Sequence, residues 1–126
     1  MQGGKETILL VDDEKVILDI GNNYLTRFGY AVITAQSGEE AIEIVREMDS
    51  SPDLVILDLS MPGMGGNKSL EILLKIDFGI KIIITSGHSN NYKVKNALDS
   101  GAVGFIRKPY HLSDMLKKIR EALDTE

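Results

Sequence analysis

A chain of 126 residues, 43% hydrophobic and 26% charged, has the make-up of one folded domain that can bury a core without disulfides or a structural metal. It contains no cysteine, which removes disulfide, thiolate and zinc-thiolate chemistry and is compatible with a reducing cytosol. A formal net charge of -5 without a Lys/Arg stripe argues against direct nucleic-acid binding, and no apolar run approaches the ~18 residues of a membrane span.

Residues 1–5 read as a tail; Met1-Gln2-Gly3-Gly4 is no signal peptide, so a soluble, cytoplasmic protein is expected. Thr7 to Val11 is a continuous apolar run that predicts a strand. Glu14 to Phe28 predicts a helix burying Val16, Ile17, Ile20, Tyr24 and Phe28, ended by Gly29. Ala31 to Ala35 reads as the second strand. Ser37-Gly38-Glu39-Glu40 is a capping box, in which the serine satisfies an orphan amide and Glu40 reaches back; the helix it opens buries Ala41, Ile42, Val45 and Met48. After the Ser50-Ser51-Pro52 loop, Asp53 to Leu57 is the third strand. The turn-forming Met61-Pro62-Gly63-Met64-Gly65-Gly66 then leads into a helix carrying Leu70, Leu73 and Leu74. Ile80 to Thr85 is the fourth strand. Ser89 to Ser100 is a more polar helix with Val94, Ala97 and Leu98, closed by Gly101. Val103 to Ile106 is the fifth strand, and Leu112, Met115, Leu116, Ile119 and Leu123 stripe the last helix.

Strands that are apolar throughout and alternate with helices are buried on both faces, so the sheet is parallel with helices on either side. Right-handed crossovers make this a doubly wound α/β domain with a five-stranded parallel sheet and five helices. Ligands in such sheets bind outside the carboxyl ends of the strands, which is where Asp12, Asp13, Asp58, Ser86 and Lys108 fall. Two unit charges about 4 Å apart repel by roughly 4 kcal/mol even at an effective dielectric near 20, so a cation belongs among these acids. Carboxylate oxygens without nearby histidine or cysteine suit a hard divalent ion, Mg²⁺, that completes its shell with waters and a phosphate oxygen. The chemistry indicated is phosphoryl transfer.

Val11-Asp12-Asp13-Glu14, Leu57-Asp58 followed by Met61-Pro62-Gly63-Met64, Thr85-Ser86-Gly87, and Phe105-Ile106-Arg107-Lys108-Pro109-Tyr110 together resemble the receiver domains of two-component response regulators. The motifs stand in the right order, each at a strand end, and the resemblance covers almost the whole chain, with a domain over residues 6–124. It implies the strand order 2-1-3-4-5 of flavodoxin-like and receiver folds, and Asp58 as phosphoacceptor. It also implies Mg²⁺ held directly by Asp13 and Asp58, through water by Asp12, and by the Ser60 backbone carbonyl. Lys108 and Ser86 would contact the phosphoryl oxygens, Ser86 and Phe105 would form the switch, and the bond preceding Pro109 would be cis. The implied partners are a histidine kinase or histidine phosphotransfer domain and a downstream protein. The latter would dock on the face of the fourth helix, fifth strand and fifth helix. A monomer or a weak phosphorylation-dependent dimer is expected, with no enzymatic activity beyond self-phosphorylation and autodephosphorylation. The opening segment, the glycine-rich loop and the Gly104 to Tyr110 ending look most like receivers of hybrid sensor kinases.

Gly65 departs from the pattern, because many receivers carry an acid there that charges the next helix's amino terminus. Ser60 and His88 occupy the positions that tune acyl-phosphate hydrolysis. His88 and His111 are otherwise expected to be exposed loop residues without a phosphoacceptor role. A haloacid-dehalogenase-like phosphatase needs a second aspartate where Ser60 stands, and an FMN carrier needs neutral amides where Asp12-Asp13-Glu14 stand. A non-phosphorylated protein-interaction module on the same fold is the remaining alternative.

Overall fold

Strands β1 (Thr7–Val11), β2 (Ala31–Ala35), β3 (Leu54–Asp58), β4 (Ile82–Ser86) and β5 (Gly104–Arg107) form one sheet in the order β2-β1-β3-β4-β5, every neighbouring pair parallel. The computed structural model describes residues 3–61, 63–87, 91–109 and 111–125. Helices α1 (Lys15–Arg27), α2 (Gly38–Glu47), α3 (Gly66–Ile76), α4 (Asn91–Ser100) and α5 (Leu112–Asp124) alternate with the strands. The period of two along each strand divides the core. Leu9, Val11, Val55, Leu57, Ile82 and Ile84 pack with α2, α3 and Ala97 of α4, while Ile8, Leu10, Leu54, Ile56, Ile83 and Ile106 pack with α1 and α5. This is the doubly wound parallel architecture that the alternating pattern predicts.

Three strands begin and end later than their apolar runs suggest, so Asp58 and Ser86 are the last strand residues rather than the first loop residues. The ladders continue past the hydrophobic stretch because Leu59 N–H donates to the Thr85 carbonyl and Lys108 N–H to the Ser86 carbonyl, each at 2.9 Å. Registers pairing Asp58 with Thr85 and Ser86 with Arg107 bring these polar residues to one end of the sheet.

Helix α1 corrects the predicted face. Its buried residues are Leu18, Gly21 and Leu25, whereas Val16 is 69% and Ile20 49% exposed. Gly21 lies at the centre of the contact, where a Cβ would stand 2.7 Å from Leu10 Cδ2 and that methyl would have to give way. Ile17, Tyr24 and Phe28 flank the contact half-buried, with the two aromatic rings 5.1 Å apart. In α4, Val94 and Ala97 face inward as expected but Leu98 is exposed; the first residues of the helix expected from Ser89 lie outside the described ones. At α2, Ser37 Oγ accepts from Glu40 N–H at 3.1 Å. The Glu40 carboxylate accepts from Gln36 N–H at 3.3 Å, closing the capping box one residue further out than Ser37 itself.

The carboxyl end of α5 is anchored by two cations. Lys81 Nζ donates to the carbonyls of Ala122, Leu123 and Thr125, where the negative end of the helix dipole favours an ammonium. Arg120 pairs with Glu6 at 2.6 Å and Asp124 at 2.9 Å and also donates to Tyr30 Oη and the Gly3 carbonyl, tying the start of the described chain to this helix. No helix among the described residues is long and apolar enough to cross a membrane.

Candidate functional site

The site is built at the carboxyl ends of β1, β3 and β5. Asp12 and Asp58 follow or end strands buried on both faces, and each is only 2% exposed; Asp13, one residue on, points to solvent. One carboxylate oxygen from each of Asp12, Asp13 and Asp58 lies within 4.8 Å of the others. The two buried acids are oriented alike. Asp12 Oδ1 accepts from Glu14 N–H at 2.9 Å and Asp58 Oδ1 from Ser60 N–H at 3.0 Å, each bond reaching two residues along its own loop. Their second oxygens converge on Lys108, whose Nζ lies 2.6 Å from Asp12 Oδ2 and 3.1 Å from Asp58 Oδ2. The Lys108 backbone is fixed by its N–H bond to Ser86, and the Lys108-Pro109 peptide is cis.

The electrostatics are unbalanced. Burial raises the Asp58 pKa above the ordinary aspartate value, against the opposing effects of the Ser60 N–H and Lys108. Burial also disfavours the Lys108 ammonium, yet its hydrogen bond to Asp12 and the charges of both acids more than compensate, so its pKa is raised. The two shifts look contradictory for one ion pair, but the partners see different surroundings. For Lys108 two carboxylates outweigh its burial, whereas for Asp58 burial outweighs the Ser60 N–H and the single ammonium, with the Asp12 charge adding to the rise. Three carboxylates around one ammonium leave the site with an anionic excess. An all-oxygen donor set with that excess fits a hard dication such as Mg²⁺.

The remaining predicted residues lie around this centre. Ser60 is exposed, with its backbone against the Asp58 carboxylate. Ser86 is 4% exposed at the end of β4. Phe105 is half-buried on the sheet face shared with α2, α3 and α4, beside the cluster that Val94 also joins. Gly63 and Gly65 take φ values of 78° and 81° in the loop after β3, and no side chain caps α3. His111 is exposed at the amino end of α5, while Pro62, His88 and Tyr110 lie outside the described residues. Sequence reasoning missed a hollow of about 430 Å³ beside Lys108, lined by Ile17, Ile20, Gly21, Gly87, Pro109 and Leu112 among others. Only the exposed stripe of α1 could have signalled it, and that stripe reads as core. A larger hollow of about 840 Å³ includes Arg46, Asp49, Asp53 and Asp77 in its lining, at the opposite end of the sheet from the carboxylates.

Residues 8–120 match the response regulator receiver domain family. The chain is a member of that family. It is similar to the sensor kinase CckA of Brucella abortus, 35% identical over 98% of this chain and 13% of that protein. Similarity to the chemotaxis protein CheY of Thermotoga maritima is 33% over 90% of this chain and 94% of that protein. The chain therefore spans a small part of one relative and nearly all of the other. The crystal structure of a CheY-like receiver domain protein from Methanospirillum hungatei superposes with a TM-score of 0.89 at 32% identity, covering 96% of this chain and 95% of that one. Receiver domains of two-component systems are phosphoacceptors rather than true enzymes, and they interact with histidine kinases or phosphotransfer proteins.

Proposed function

We propose that this receiver takes a phosphoryl group from a phosphohistidine of a histidine kinase or phosphotransfer domain onto Asp58. The observation that carries the reading is the Asp58 carboxylate itself, buried, oriented by Ser60 N–H and Lys108, and set among two further acids. A carboxylate lone pair forms the new O–P bond as the P–N bond breaks; the electrons leave with the imidazole, which takes its proton from solvent. Little covalent work falls to the protein beyond positioning and neutralising charge on the transferring group. Lys108, already 3.1 Å from Asp58, is the cation that can follow the charge onto the phosphoryl oxygens, with the Ser86 hydroxyl as a neutral donor. Asp13 and Asp58 would hold Mg²⁺ directly, Asp12 through water and Ser60 through its carbonyl. The ion would supply neutralising charge to the phosphoryl oxygens.

The donor docks above the carboxylates, where Val16 and Ile20 of α1 and the hollow beside Lys108 offer apolar contact next to the reacting oxygen. Ser86 and Phe105 pass the change to the face of α4, β5 and α5, which engages the downstream protein. The working unit runs over residues 6–124, is cytoplasmic, and reverses its own phosphorylation without other catalysis. Its opening segment, glycine-rich loop and Gly104 to Tyr110 ending favour the receiver of a hybrid kinase over a single-domain regulator, and we take it as a monomer or a weak phosphorylation-dependent dimer.

Acetyl phosphate with Mg²⁺ should add one hydroxylamine-labile phosphate, read by intact mass, and Asp58→Asn should abolish it. A protein that stays unmodified would instead be an interaction module on the same fold, and phosphate retained on the variant would move the acceptor elsewhere.

A further inference from the structure

We infer that Asn67 is a tether that restrains α4 and thereby limits the movement of the face proposed above for output; the regulatory meaning rests on that proposal, the restraint does not. The two helices beside β5 are held very differently. α5 buries Met115, Leu116 and Ile119 and is anchored at its end by Lys81 and Arg120. Among the described side chains of α4, Ala97 alone is buried and Val94 is half-buried, while Tyr92 is 73% and Leu98 41% exposed. A helix with so little apolar surface against the core opens locally at low cost, so a single polar contact carries a large share of its restraint.

Asn67 makes such a contact. Its Nδ2 donates to the Lys93 carbonyl in the first turn of α4 at 3.1 Å, and since a carbonyl can only accept, the amide nitrogen faces α4. The other end of the tether is rigid. Asn67 follows Gly66, where a Cβ would lie 2.5 Å from Leu59 Cα and 2.8 Å from the Asp58 carbonyl, so the first turn of α3 rests directly on the strand end that carries Asp58. On the α4 side, Lys93 precedes Val94, which packs against the same cluster as Phe105. The contact thus joins the backbone at Asp58 to the helix beside Phe105 without passing through Ser86.

Amide exchange on the unphosphorylated protein tests the restraint. In Asn67→Ala, amides from Lys95 to Ser100 should exchange roughly three- to tenfold faster, the loss expected for one net hydrogen bond. Alanine is the better helix former, so amides of α3 from Leu70 to Ile76 should keep or slow their rates, as should those of α5 from Met115 to Glu121. These opposite signs separate a lost tether from general loosening. Asn67→Asp, of similar size but with an acceptor against the carbonyl, should speed α4 at least as much. Unchanged α4 exchange in both variants, or equal acceleration of α3, α4 and α5, would overturn the restraint. With acetyl phosphate and Mg²⁺, shifts in α4 should be larger in Asn67→Ala than in the parent; equal shifts would overturn the regulatory role. A chain that cannot be phosphorylated would still show the exchange difference, so the two readings fail separately.

Discussion

Replacing Lys108 with methionine in metal-free buffer should destabilise the fold by roughly 3–5 kcal/mol, the cost of leaving a buried charge without its partner. The lysine stem is kept in bulk, so the change isolates the ammonium. Its side chain is 15% exposed and those of Asp12 and Asp58 are 3%, so solvent screening is weak. At separations of 2.6 and 3.1 Å, an effective dielectric near 20 gives a gross attraction of about 5–6 kcal/mol for each pair. The net loss is smaller because the ammonium regains its hydration in the unfolded chain. For a domain of this size the thermal midpoint should fall by about 10–20 °C. The pH dependence has a definite sign. Burial already raises the Asp58 pKa with Lys108 in place, and removing the ammonium raises it further. A group whose pKa is higher in the folded state destabilises most above that folded value, and the penalty fades as pH falls toward its unfolded value near 4. The deficit should therefore be largest at neutral pH and shrink on acidification, and Asp58→Asn should recover part of it in the Lys108→Met background. Urea unfolding of the four proteins at neutral and acidic pH gives the double-mutant cycle. A loss under about 1 kcal/mol at neutral pH, or one undiminished by acid, would refute the view that these carboxylates depend on Lys108.

Mg²⁺ at about ten times its dissociation constant should stabilise the parent by roughly 1.4 kcal/mol in a thermal melt. Asp13→Asn should lose most of that gain, and an equal gain would remove Asp13 from the ligand set. Arg120→Met should cost about 1–2 kcal/mol, a range discounted for the partial exposure of Glu6 and Asp124, and should speed amide exchange from Lys5 to Thr7. The Arg120 hydrogen bond holds the Glu6 pKa below the usual glutamate value, so this contribution is present above about pH 4.5 and is lost as pH falls through the lower folded value. Parent and variant should converge in acid; a gap that widens there would contradict the ion pair.

The sheet was legible because β1, β3 and β4 carry unbroken apolar runs, Ile8 to Val11, Leu54 to Leu57 and Ile82 to Ile84, whose inward and outward positions both need a covering layer. The carboxylates were legible for the same reason, since a charge that closes such a run can lie only at the sheet's end. The face of α1 was not. Val16, Ile17, Leu18, Ile20, Tyr24 and Leu25 spread apolar residues over an arc of about 200°, wider than the face that meets the sheet, so periodicity alone does not choose between its edges; the edge that is buried is the one with Leu18, Gly21 and Leu25. The Asn67 contact was equally hidden. A polar residue near a helix start reads as solvated unless the position of a helix about 25 residues later is known. The anchoring of α5 by Lys81 and Arg120 likewise depends on partners far away in sequence.

The imbalance at the site is more informative than any of its residues alone. A structural ion cluster would match charges, since each uncompensated carboxylate costs stability. Here Lys108 pairs with Asp12 and Asp58 while Asp13 stands beside them, and burial raises the pKa of Asp58. Basicity at that oxygen favours nucleophilic attack, and the uncompensated charge favours a dication, so the features that weaken the fold are those the proposed reaction uses. The rest of the domain tolerates the cost through strands buried on both faces and an α5 anchored at its far end. Once a phosphoryl group is attached, the anionic charge moves outward from the Asp58 carboxylate. On the proposed reaction Lys108 would then divide its contacts between Asp12 and the new oxygens. That redistribution would begin at the end of β3, on which the first turn of α3 rests and from which Asn67 reaches the Lys93 carbonyl, so a weakly buried and tethered α4 is where the change should first appear.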